Sequence, residues 1–115
     1  MRVLLVNPAL VPKRLGSYGR FATSVPPTGL CYLASVLRHD GFEVRVYDQH
    51  AAREGNDPLL AMVEAWRPTV VGFSTLTFVL ETVEDASRRI HERFPETRVV
   101  VGNIHATYFP HELLE

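Results

Sequence analysis

Val70-Val-Gly-Phe-Ser-Thr-Leu-Thr77 is a run of β-formers that breaks abruptly into small hydroxyl residues, and its reading decides the fold. An almost unbroken apolar strand belongs in the middle of a parallel sheet, where both faces are covered. Val3-Leu-Leu-Val-Asn-Pro8 and Val99-Val-Val-Gly-Asn-Ile-His-Ala-Thr107 have the same shape. Three buried strands whose carboxyl ends all turn small and polar describe one edge of an open parallel sheet, the edge at which such sheets bind ligands. The chemistry is therefore expected on the loops that follow these strands.

Working outward, the first strand spans Val3 to Asn7 and leads into a long stretch, Pro8 to Pro27, carrying Lys13, Arg14, Gly16, Tyr18, Gly19 and Arg20. A first helix opens near Pro27-Thr28, with Leu30, Leu33, Ala34 and Leu37 as its buried stripe. Gly41 is expected as its left-handed cap. Glu43 to Tyr47 alternates apolar with polar and reads as a strand nearer a sheet edge. Asp57 as N-cap and Pro58 at the first helical position open a second helix, which buries Leu59, Met62, Val63 and Trp66 and stops at Pro68.

Thr69 to Phe73 is the third strand, and a third helix follows from about Phe78 to Arg93 with the stripe Val79, Val83, Ala86, Ile90 and Phe94. Glu84–Arg88 and Asp85–Arg89 are candidate i,i+4 pairs on it. Arg98 to Val101 is the fourth strand. Strand–helix units of about thirty residues predict an α/β fold, a doubly wound parallel sheet of Rossmann or flavodoxin type. Four strands are visible, and such sheets commonly hold five in the order 2-1-3-4-5. The chain is therefore expected to be the N-terminal fragment of a larger protein. Its last strand would be an unpaired edge, open to homodimerisation.

At 115 residues with 46% apolar content the sequence suits one domain, and a net charge of −1 gives no bulk attraction to nucleic acid or acidic membranes. The longest apolar runs are strand-sized, too short to span a bilayer. Cys31 is the single cysteine, so this chain forms no internal disulfide and supplies no iron–sulfur or structural zinc site. Met1-Arg2 runs straight into a strand without the apolar core of a signal peptide, and the expected setting is cytoplasmic.

Four segments, in order, resemble the N-terminal cobalamin-binding domain of cobalamin-dependent radical S-adenosylmethionine enzymes, a group that includes the anaerobic magnesium-protoporphyrin monomethyl ester cyclase. They are Val3-Leu-Leu-Val-Asn-Pro8; Pro26-Pro-Thr-Gly-Leu-Cys-Tyr-Leu-Ala-Ser-Val-Leu37 with Gly41-Phe-Glu-Val-Arg-Val-Tyr-Asp48; Val70 to Thr77; and Arg93 to Thr107. The resemblance implies a cobalamin lying across the carboxyl ends of the strands, with its nucleotide tail threaded beside the sheet. It implies Asn7 and Pro8 as first-loop contacts and Thr28 as a contact from the Pro-Pro-Thr-Gly segment. Ser74 carries over as a tail contact and Leu76 as an apolar wall, from the family's Ser-x-Leu motif, with Thr75 and Thr77 beside them. Gly102 matches the first glycine of a Gly-Gly pair whose second position here is Asn103. His105 and Thr107 match the ending Gly-Gly-x-His-Ala-Thr.

Asp48-Gln-His50 is similar to the Asp-x-His-x-x-Gly motif of cobalamin mutases, in which histidine ligates cobalt from below. That motif follows the first strand, whereas Asp48 and His50 follow the second, so the resemblance implies that cobalt lacks a protein histidine, and His50 equally suits a solvated loop. A methyl transfer or a ring-forming reaction would be carried out in a downstream radical S-adenosylmethionine domain. That domain would hold the iron–sulfur cluster on a Cys-x-x-x-Cys-x-x-Cys motif absent here.

Other readings stand beside this one. Ser74, Thr75 and Thr77 equally suit capping of the third helix, and a capped helix start also attracts ligand oxygens. Gly102 equally suits a turn. A phosphorylated receiver domain shares the sheet order but needs an aspartate where Ser74 stands. No Gly-x-Gly-x-x-Gly or P-loop follows any strand, which argues against a nucleotide binder. A degenerate Rossmann-like domain with an assembly role and no cofactor is the alternative function.

Overall fold

The computed structural model describes residues 1–8, 28–49, 55–74 and 79–102. Within them strands and helices alternate: β1 (Arg2–Asn7), α1 (Thr28–His39), β2 (Glu43–Asp48), α2 (Asn56–Trp66), β3 (Val70–Ser74), α3 (Leu80–Arg93) and β4 (Arg98–Gly102). The strands pair in parallel in the order β2-β1-β3-β4, which matches the first four places of the expected doubly wound order. The alternating β2 is an edge strand, as its pattern predicts.

Alternation along each strand sends side chains to two faces. Leu4, Val6, Val71 and Phe73 meet Leu59, Leu60 and Val63 of α2 and Val83, Ala86 and Ile90 of α3 in the larger core. On the other face Val3, Leu5 and Val44 meet Ala34 of α1, with Leu30, Leu37 and Val46 packed against them. The predicted stripe of α3 is buried throughout, from Val79 to Phe94. Gly41 has φ +93°, the left-handed cap its position predicted.

Four local expectations are corrected. Leu33 is 44% exposed because it lies a quarter-turn from Ala34, whereas Leu30 and Leu37 lie within about 60° of it. Met62 and Trp66 are only half-buried, and Leu60 takes the central place instead. Arg88 pairs with Asp85 at 2.9 Å rather than with Glu84. Helix α2 starts at Asn56 with Gly55 as N-cap, so Asp57 lies inside the first turn, where it accepts from Arg89 Nη2 at 2.6 Å.

That shift at α2 has a physical cause in a polar chain. Gln49, fully buried just past β2, donates from Nε2 to the Gly55 carbonyl and to Asn56 Oδ1, both at 2.8 Å. Asn56 in turn donates from Nδ2 to the Thr82 carbonyl at 3.1 Å and to Asp85 Oδ2 at 2.8 Å. Asn56 is thus held by three distant partners, which draws it into the helix start.

The Asn56 hydrogen bond is the chief reason the Asp85 carboxyl titrates below its ordinary value of 3.8; burial opposes it, and Arg89 and Arg88 add to it. A depressed folded-state value favours the charged form in the native protein. Its stabilisation is therefore complete above about pH 4 and is lost as pH falls through the lower folded value. Asp85→Asn is expected to flatten the acid limb of stability below about pH 4, measured by urea unfolding at stepwise lower pH.

Candidate functional site

Register gathers four residues into one row across the strand tips. Asn7 is paired with Asp48 across β1 and β2, and Ser74 with Gly102 across β3 and β4. The β1–β3 register matches Val6 with Phe73, and one residue further it sets Asn7 beside Ser74. The row reads Asp48, Asn7, Ser74, Gly102 in strand order and spans about 14 Å at ordinary strand spacing. All four have the parity of Val3, Leu5, Val44 and Val70, so they belong to the face that carries α1.

That face is only half covered. Helix α1 lies against β1 and β2, and among the described residues no helix covers the same face of β3 and β4. What that half presents is low: Gly72 next to Ser74 along β3, and Val100, 56% exposed, next to Gly102 along β4. A Cβ added at Gly72 would stand 3.1 Å from Leu5 Cδ2, so the glycine lets Leu5 pack flat. A Cβ at Gly102 would meet nothing within 4 Å. Packing does not demand glycine there, yet any side chain would stand up from the shelf.

The row is polar, small and without a cation. Asn7 Nδ2 donates to Asp48 Oδ1 at 3.0 Å, joining the first two tips, and both residues are half-buried. Pro8, directly after Asn7, is buried, and Ser74 is half-buried. Asp85, the carboxyl with a lowered titration, belongs to the α2–α3 network and takes no part in the row. Among the described residues no three His, Cys, Asp or Glu side chains are grouped to hold a metal ion.

The structure thus brings together Asn7, Ser74 and Gly102 of the residues singled out in the sequence. Thr28 opens α1. Thr75, Leu76, Thr77, Asn103, His105 and Thr107 lie outside the described residues, as does His50. Asp48, which the sequence offers only within Asp48-Gln-His50 and at the end of the Gly41–Asp48 segment, is not among the predicted contacts. The register that places it against Asn7, 41 residues away, cannot be seen in either segment alone.

A low, neutral-to-acidic shelf with amide, hydroxyl and bare-backbone groups fits a broad ligand rich in neutral hydrogen-bonding groups; a phosphate would want cations or a glycine-rich turn. Cobalamin, with its flat ring bordered by carboxamides, fits that description. The B12 binding domain family matches residues 18–115, most of the chain. The chain belongs to that family. This B12-binding domain is also 29% identical over 113 residues to an uncharacterized methyltransferase of Pyrococcus horikoshii, covering 96% of this chain and 23% of that protein. It is 26% identical over 136 residues to the cytidylyl-2-hydroxyethylphosphonate methyltransferase of Streptomyces wedmorensis, covering 99% of this chain and 24% of that protein. The B12-binding domain therefore spans about a quarter of the length of the curated relatives it matches. No solved structure matches it. No helix among its described residues is long and apolar enough to cross a membrane.

Proposed function

We propose that this chain is the cobalamin-holding module of a longer, cytoplasmic radical S-adenosylmethionine enzyme. The observation that carries the reading is the Asp48–Asn7–Ser74–Gly102 row, a shelf with no bulky side chain among its four described tips, at the ligand-binding edge of a B12-binding domain. When bound, cobalamin supplies methyl-carrying chemistry. The chain's own residues bind and orient it: Asn7 and Ser74 offer hydrogen bonds, Gly102 keeps the approach open, and Gly72 with Val100 forms the floor available to the nucleotide tail. The names of both relatives support methyl transfer over ring closure. Iron–sulfur cluster and S-adenosylmethionine belong, in this reading, to a domain encoded downstream. A Cys-x-x-x-Cys-x-x-Cys motif in the coding sequence after Glu115 is the expected finding. The edge of β4, the last strand of the sheet among the described residues, is the surface for a homodimer, to be checked by sedimentation.

In this reading His50 does not hold cobalt. No histidine occurs between Pro8 and Pro27, and His50 follows β2, the outermost strand. His50→Ala is expected to leave cobalamin affinity within about twofold, the small effect of a side chain that does not touch the ligand. Expression with and without added cobalamin tests the whole reading. Protein purified from supplemented cells is expected to carry the visible corrin bands in near-stoichiometric amount. Colourless protein from both cultures would favour the assembly role without cofactor.

A further inference from the structure

Asn7 and Asp48 close two neighbouring strands, and the Asn7 Nδ2 to Asp48 Oδ1 bond of 3.0 Å joins them. A carboxylate only accepts hydrogen bonds, so the contact decides which way the Asn7 amide is turned; reversed, it would bring two oxygens together. An asparagine at a ligand rim is ordinarily ambiguous, able to present either a donor or an acceptor by a flip about its last bond. Here the nitrogen arm lies against Asp48. The other arm, Oδ1, has no partner among the described residues.

We propose that Asp48 is a positioning residue that makes Asn7 a hydrogen-bond acceptor at the strand-tip row. The site thereby selects a ligand group with a neutral N–H or O–H donor over an anionic one. Resting on the cobalamin reading above, the group selected is a primary carboxamide at the corrin periphery. A carboxylate in the same place would set its oxygens against Asn7 Oδ1, and neither side can donate. Replacing Asp48 with asparagine removes the constraint. Asn7 can then flip and donate, and discrimination between amide and acid is lost.

The probes are cobalamin and its monocarboxylic acid derivatives, in which one peripheral propionamide is hydrolysed to the acid, titrated calorimetrically into the 115-residue chain. For the unaltered chain, at least one acid isomer is expected to bind about tenfold more weakly than cobalamin, the worth of one hydrogen bond turned into a repulsive contact. Asp48→Asn is expected to weaken cobalamin binding by about the same factor and to erase that discrimination. The paired exchange Asn7→Asp with Asp48→Asn, which keeps an acceptor at the β1 tip, is expected to restore it. A merely structural role for Asp48 would lower the affinity for amide and acid forms alike, and that result overturns the proposal. So does an Asp48→Asn chain that discriminates as the unaltered chain does.

The orientation is also read without ligand, from the side-chain amide resonances of Asn7. They are expected to be shifted and protected from solvent exchange in the unaltered chain and to lose both features in Asp48→Asn. Resonances identical in the two chains overturn the positioning role. A chain that binds no cobalamin but shows the protected amide overturns the cobalamin reading and leaves the acceptor orientation standing.

Discussion

Gly102→Phe is expected to weaken cobalamin binding on the order of 100-fold while leaving the fold intact, the penalty of forcing an aromatic ring into a complementary contact. Gly102 closes β4, is exposed, and does not have the positive φ that Gly41 has. A Cβ there meets nothing within 4 Å, and aromatic residues are good strand formers, so the unliganded chain has no reason to object. The ring would stand at the end of the row beside Ser74, on the proposed place of the bound group. Calorimetric titration gives the affinity, and the thermal midpoint of the unliganded chain gives the control. An unchanged affinity would remove Gly102 from the site. A lowered midpoint would mean that the glycine serves the fold.

The second large effect is on stability. Leu4→Ala is expected to destabilise the chain by about 2–5 kcal/mol, the usual range for deleting a fully buried leucine from a core that cannot close around the gap. Leu4 is wholly buried on β1, which has β2 on one side and β3 on the other, and it belongs to the core shared with α2 and α3. Against the roughly 5–15 kcal/mol that holds a typical domain, such a loss leaves little margin. Urea unfolding should show a markedly lower midpoint with the same dependence on denaturant. A change under about 1 kcal/mol would mean that the core shared with α2 and α3 is loosely packed around Leu4.

Much of this fold is legible in the sequence because its signals are local. The stripe Val79, Val83, Ala86, Ile90 and Phe94 is a plain helical period, and all five residues are buried. The unbroken Val70–Phe73 run marks an interior strand, and β3 lies between β1 and β4. Gly41 after His39-Asp40 marks a left-handed helix end.

Where the reading missed, the deciding interaction is distant. Asp57 has the chemistry of a cap, but Asn56 is drawn into the helix start by Gln49 and by Asp85, 29 residues further on. Leu33 has the right spacing from Leu30, yet only the packing of α1 on β1 and β2 shows that Ala34 faces the sheet and leaves Leu33 a quarter-turn aside. The site divides the same way. Asn7, Ser74 and Gly102 are legible as small residues at strand ends. Asp48 joins them only through a register that two segments far apart in sequence must form together.

The central claim is that these four tips hold cobalamin. Titration of aquacobalamin into the 115-residue chain, followed by heat and by corrin absorbance, tests it most directly. Saturable binding at one cobalamin per chain, strongly weakened by Gly102→Phe, is the expected result. The absence of both heat and spectral change at high micromolar concentrations would contradict it.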